Sequence, residues 1–220
     1  MSRSIALKSS SRFFTDEIAN QVTHGIGFAF SIPAGWWLIH KTAEKQNDWL
    51  TLGCSIYAAT LVLLYAASTL SHSLHRGIWR HRFRTFDQVC IFLLMAGSYT
   101  PFGMAYLRDG WWGALLVVMW LLAAIGIVLK LFFTRLDMVS TTFYLLAGWT
   151  PIIAMPQYYQ CLGGEGVAWI VAGGAAYSFG LWFLINDQRR LYFHAVWHLL
   201  TIVGSACHYV LILNYVVGCA

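Results

Sequence analysis

The chain has 220 residues, of which 59% are hydrophobic and only 10% charged, with a formal net charge of +5. Soluble domains carry about 25% charged and about 45–50% apolar residues, so this composition defines a membrane protein and excludes a separate soluble domain. The positive balance is explained by loop topology, and no nucleic-acid partner is called for.

Residues Met1 to Glu17 carry Arg3, Lys8 and Arg12 and lack an apolar core followed by a small-residue site. A cleaved signal is therefore not expected, and the N-terminus is expected to stay on the mature chain. Apolar runs of about 20 residues cross a bilayer as helices. Such runs predict spans at 18–40, 50–74, 86–107, 112–133, 139–158, 165–186 and 191–217, the last two set apart by Asn186-Asp187-Gln188-Arg189-Arg190. The expected fold is an all-α membrane protein, one seven-transmembrane helix bundle over residues 1–220. With the N-terminus cytoplasmic, the inner segments hold Arg3, Lys8, Arg12, Arg76, Arg80, Arg82, Arg84, Lys130, Arg135, Arg189 and Arg190, against Lys41, Lys45 and Arg108 outside. That bias places the N-terminus inside and the C-terminus outside.

The first helix brings Glu17, Asn20 and His24 onto one face at its inner end, where they line a cavity or form an interfacial polar patch. The second ends with Ser68-Thr69-Leu70-Ser71-His72, and the third starts with Asp87 shortly after Arg84. The seventh opens with His194-Ala195-Val196-Trp197-His198. The i, i+4 spacing puts His194 and His198 one turn apart on one face, as two ligands of a single metal require. At about 1.5 Å rise per residue, His72, Asp87, His194 and His198 all fall within about two turns of the inner boundary. Ionisable groups inside a membrane mark a site. Three histidines with an open fourth position form a catalytic rather than a structural zinc set. Zinc lowers the pKa of a bound water to about 7, and Asp87 could orient that water, accept its proton or hold a ligand imidazole. Ser68 lies one turn from His72 on the same face. His208 lies roughly three turns deeper than His198, too deep to be a ligand, and reads as a buried hydrogen-bonding group.

Other chemistries fit less well. Zinc proteases of the His-Glu-x-x-His type need Glu where Ala195 stands, and membrane di-iron enzymes need more histidines, including adjacent pairs. Haem b would need two histidines at matching depth with room for the macrocycle, which an absorption spectrum would distinguish. His40, His75 and His81 read as solvated or interfacial. The cysteines Cys54, Cys90, Cys161, Cys207 and Cys219 show no metal spacing. Cys161 and Cys219 both fall on the outer side and could pair, while the rest read as small core residues. Trp36, Trp37, Trp111 and Trp112 read as an interfacial belt, and Gly97, Pro101, Gly148, Pro151, Gly173, Gly174 and Gly180 as kinks and close helix contacts.

In order along the chain, Glu17-x-x-Asn20-x-x-x-His24, Ser68-x-x-x-His72, Asp87, Ala96-Gly97-Ser98-Tyr99-Thr100-Pro101-Phe102, Gly173-Gly174 with Tyr177 and Gly180, and His194-x-x-x-His198 with Gly204-Ser205 and His208 resemble the haemolysin III family. That family is the bacterial branch of the progestin and adipoQ receptor family. The resemblance implies a seven-helix bundle in the cell membrane with Zn2+ near the cytoplasmic leaflet, held by His72, His194 and His198, with Asp87 and Ser68 at its water. It also implies a wider group of ceramidase-like, metal-dependent lipid hydrolases. The expected activity is hydrolysis of a membrane-lipid amide or ester, with a membrane lipid as substrate or ligand. The alternative is a cytolytic or membrane-homeostasis protein in which zinc clamps helices two, three and seven. Protein partners are not indicated.

Overall fold

The structure is a computed structural model that describes residues 2–74, 77–106, 113–132 and 137–218, with side chains described for all of these except 2–14 and 137–139. The described residues are helical throughout: α1 Ser2–Ala43, α2 Asp48–Ser73, α3 Gly77–Tyr106, α4 Gly113–Phe132, α5 Asp137–Trp149, α6 Met155–Ile185 and α7 Phe193–Leu211. Short 3-10 turns at Thr150–Ala154 and Asp187–Arg189 lead into α6 and α7, and α7 runs on as a π turn over Ile212–Val217. Five segments are long and apolar enough to cross a membrane: Asp48–Ser73, Gly77–Tyr106, Gly113–Phe132, Ser140–Ile185 and Phe193–Val217. The chain is thus an all-α, multi-pass membrane protein.

Two boundaries within 139–186 differ from the sequence expectation, each for a covalent reason. The run expected as one helix over 139–158 stops at Trp149, because Pro151 has no amide to donate and sits in a 3-10 turn. The sixth helix starts at Met155 rather than near 165, with Pro156 in its first turn, where the missing N–H is tolerated. Gly163, at φ 67° and ψ −176°, then breaks α6 internally; only glycine adopts that conformation readily. Ser140–Ile185 is accordingly a 46-residue apolar segment built from several helical pieces. At the other end of the chain, α1 extends well before the apolar run that begins at Ile18.

Helix α2 packs between α1 and α3, α3 carries α4, α6 packs on α7, and α1 closes against α7. Tyr57, Leu61 and Leu64 of α2 meet Cys90, Leu94 and Phe102 of α3 and Leu211 and Ile212 of the last helix in one core. Two phenols pin α7 into place: Tyr57 Oη donates to the Ser205 carbonyl at 3.3 Å, and Tyr209 Oη to the Ala34 carbonyl at 2.9 Å. The start of α2 is fixed by Asn47, whose side chain accepts from the Leu50 amide at 3.1 Å. Large apolar side chains such as Phe30, Trp36, Leu121, Phe132 and Phe179 point outward. In water such a surface would aggregate; in a bilayer it is the solvated face.

Trp36 and Trp37 are exposed as a belt requires, whereas Trp111 and Trp112 lie outside the described residues, as do His75, Arg76, Arg108, Arg135 and Cys219. Cys161 is free among the described residues.

Where α4 meets α3, Gly126 lies directly against the ring of the buried Phe92, so that a methyl group there would overlap it. Gly126→Ala is expected to lower stability by about 1–3 kcal/mol through overpacking. Gly148→Ala, with open space around the position, should leave the apparent melting temperature in detergent unchanged.

Candidate metal centre

His194 and His198 occupy successive turns at the start of α7, with ring centroids 4.7 Å apart. His72 enters from the last turn of α2, its centroid 5.1 Å from that of His194 and 5.0 Å from that of His198. One ligand nitrogen from each lies within 4.8 Å of the others. His72 and His198 are buried and His194 is half-buried. This triad could hold a metal ion.

The hydrogen bonds of all three rings use the same nitrogen. His72 Nδ1 lies 2.7 Å from Glu17 Oε2, and the other oxygen of Glu17 accepts from Arg80 Nη2 at 2.6 Å. Arg80 is itself tied to the Leu74 carbonyl through Nη1 at 3.0 Å. His194 Nδ1 lies 3.0 Å from Asp187 Oδ2. His198 Nδ1 lies 3.2 Å from the Asn20 carbonyl and 3.2 Å from Thr23 Oγ1. A carboxylate or carbonyl oxygen can only accept, so each Nδ1 carries the proton and each Nε2 keeps its lone pair. Metal-bound histidines are oriented by an oxygen on the second ring nitrogen in this way. The donor set, three neutral imidazoles with one nitrogen each, fits a divalent transition metal such as zinc.

Asp187 is placed in the turn between α6 and α7, outside the apolar segments. Burial pushes its carboxyl up, but the hydrogen bonds from His194 and Gln188 outweigh that and hold it below its ordinary value. It is ionised at neutral pH and fixes the His194 tautomer.

A polar cavity of ≈350 Å³ opens beside the triad. His24, Ser68, Asp87 and the three histidines all line it. Asp87 Oδ2 is within 3.2 Å of Ser71 Oγ. Ser68 is fully buried and its Oγ sits 2.6 Å from His24 Nδ1. The His24 ring stacks on His198, with centroids 3.6 Å apart at 13°, and its Nε2 is buried with no hydrogen-bond partner among the described residues.

Glu17, Asn20 and His24 thus share one face of α1, as their spacing requires, but act differently. Glu17 works through its carboxylate, Asn20 through its backbone carbonyl and His24 through ring stacking. His208 lies elsewhere, in a separate and mainly apolar cavity of ≈110 Å³ shared with Tyr99, Tyr158 and Tyr177. Its Nδ1 is buried with no hydrogen-bond partner among the described residues. His81, expected at the interface, lines the polar cavity.

The partners that sequence reasoning missed are Arg80, Thr23 and Asp187. Asp187 had a visible signal, a carboxylate in the polar break just before His194. Arg80 was hidden among residues that also set topology.

These features define a class: a multi-pass α-helical membrane protein with a histidine triad at the facing ends of α2 and α7. The chain belongs to the haemolysin-III related family, whose profile matches residues 13–209. It is 39% identical over 212 residues to Hemolysin-3 of Bacillus cereus, covering 95% of either chain. It is also 39% identical over 203 residues to the Hemolysin-3 homolog of Bacillus subtilis (strain 168), covering 92% of this chain and 95% of that one. A more distant relative is the human monocyte to macrophage differentiation factor, 29% identical over 214 residues, covering 91% of this chain and 84% of the relative.

If Glu17 and Asp187 orient ligands, Glu17→Gln and Asp187→Asn should each keep the fold and weaken metal retention by roughly 10–100-fold in a chelator competition. His208→Ala, placed in the other cavity, should leave retention unchanged.

Proposed function

We propose that this protein is a zinc-dependent hydrolase of a membrane lipid, cleaving an amide or ester bond inside the polar cavity. The observation that carries the reading is the convergence on one cavity of three imidazoles anchored through Nδ1, a carboxylate and a buried hydroxyl. When bound, zinc would supply activation of a water near neutral pH and polarisation of a carbonyl.

The chain's own groups would do the rest. His72, His194 and His198 hold the ion, and their Nδ1 partners keep the rings from turning. Asp87 accepts the proton that the attacking water gives up and returns it to the leaving amine or alcohol. Ser68, pinned by His24, offers its oxygen as a fixed hydrogen-bonding point for the substrate. Leu64, Ile91, Leu184 and Trp197 complete the cavity wall, giving an apolar lining against which a lipid chain can lie.

In this reading the bundle crosses the plasma membrane seven times, with α1 counted as a span and Ser140–Ile185 counted as two. Arg80, Arg82, Arg84, Lys130, Arg189 and Arg190 gather at the end that holds the triad, opposite Lys41 and Lys45, which supports a cytoplasmic N-terminus and an outer C-terminus.

The name of the Bacillus cereus relative, Hemolysin-3, supports a second reading. Here a metal bridging α2 and α7 is structural, and the protein perturbs membranes directly. Solute leak from liposomes that survives chelation, with no lipid product formed, would favour it.

Turnover of amide- and ester-linked lipids by purified protein, followed by mass spectrometry of the products, tests the hydrolase. Asp87→Asn is expected to lower the rate by about 10²–10⁴-fold, the usual contribution of a positioned acid–base group. Failure of wild type to process either lipid class, or wild-type rates in folded Asp87→Asn and His72→Ala, would sink the proposal.

A further inference from the structure

The lining of the cavity carries two cations besides the triad. One stripe of α3, spaced by three or four residues, lines it with His81, Arg84, Gln88 and Ile91. Exposure falls along that stripe from His81 and Arg84 to Gln88 and Ile91, so the first two mark the mouth. Lys130 of α4 lines the same cavity.

Lys130 is not placed as topology alone would place it. Lys130 is the one charged residue of α4, in a segment of mean hydropathy 2.6, and is only 8% exposed. A lysine that served only as an interfacial anchor would extend its ammonium into the headgroup layer. Arg84 makes no hydrogen bond or ion pair among the described residues, whereas Arg80, one turn earlier, is committed to Glu17 and the Leu74 carbonyl. The carboxylates of the cavity are already engaged, Asp187 with His194 and Asp87 with Ser71. Arg84 and Lys130 balance those two carboxylates, so a divalent ion on the triad leaves the lining net cationic.

We infer that Arg84, at the mouth of the cavity, and Lys130, buried in its lining, form an oxyanion subsite that takes the phosphate of an anionic lipid headgroup. The inference rests on the lipid-hydrolase reading and narrows its substrate class to lipids whose phosphate headgroup carries net negative charge. An arginine fork and a lysine point charge can engage different oxygens of one phosphate. The bond to be cleaved then lies deeper, toward Asp87 and the triad.

The test equilibrates the full chain in detergent with equimolar phosphatidate and phosphatidylcholine and counts bound lipid by native mass spectrometry, with zinc measured alongside. Wild type is expected to prefer phosphatidate by about tenfold or more, as one charge-assisted contact gives. Arg84→Gln and Lys130→Met should remove most of that preference without changing zinc content, and Lys130→Arg should restore it. Arg82→Gln should keep the preference, because Arg82 lies 5.2 Å over the Trp79 ring and outside the cavity lining. Equal preference in wild type and Arg84→Gln, or an equal loss in Arg82→Gln, overturns the subsite. Displacement of bound phosphatidate by equimolar inorganic phosphate also overturns it, since the occupant would then be a free ion. Headgroup selectivity that persists while no lipid is hydrolysed supports the subsite and counts against the hydrolase instead.

Discussion

A neutral imidazole has one proton and one lone pair, and the group that takes the proton decides where the lone pair points. In this bundle three buried or half-buried rings give Nδ1 to oxygen acceptors, so three Nε2 lone pairs are left for one ion. The acceptors come from two elements: the Glu17 carboxylate and the Asn20 backbone carbonyl from α1, and the Asp187 carboxylate from the α6–α7 turn. Without those acceptors the rings could turn, and the polar cavity would be a set of costly buried amines rather than a ligand set.

That constraint explains the role of α1. Its apolar character is weaker than that of the five segments suited to spanning, yet it packs against both α2 and α7. Its polar face holds two of the three ligand rings in place, and His24 stacks on His198 while holding Ser68. Arg80 extends the chain of contacts from the His72 ring through Glu17 to the end of α2. The contacts that pack this end of the bundle are therefore the same ones that position the histidines. The second cavity, around Tyr99, Tyr158 and His208, lies along the same helices and shares no lining residue with the first.

Much of this was legible from residue spacing. The i, i+4 pair His194 and His198 had to share a face, and His72 followed from comparing depths along helices of opposite direction. Glu17, Asn20 and His24 were legible as a stripe but not in their roles, because side-chain identity says nothing about the Asn20 carbonyl. Helical arithmetic put His208 on the face of His198, but roughly three turns away, and it lines the other cavity. The hydropathy pattern over 139–158 hid the break at Pro151, since apolar residues continue on both sides of it. Asp187 and His81 read as loop and interface residues because only the folded turn and the α3 stripe bring them to the cavity.

The most direct measurement is the metal content of purified protein by mass spectrometry, with wild type set beside His72→Ala and His198→Ala. The geometry predicts about one zinc per folded wild-type chain and loss of nearly all of it in either variant. Folded wild type without metal, or metal retained in both variants, would contradict the site and leave the histidines as a packing and hydrogen-bonding cluster.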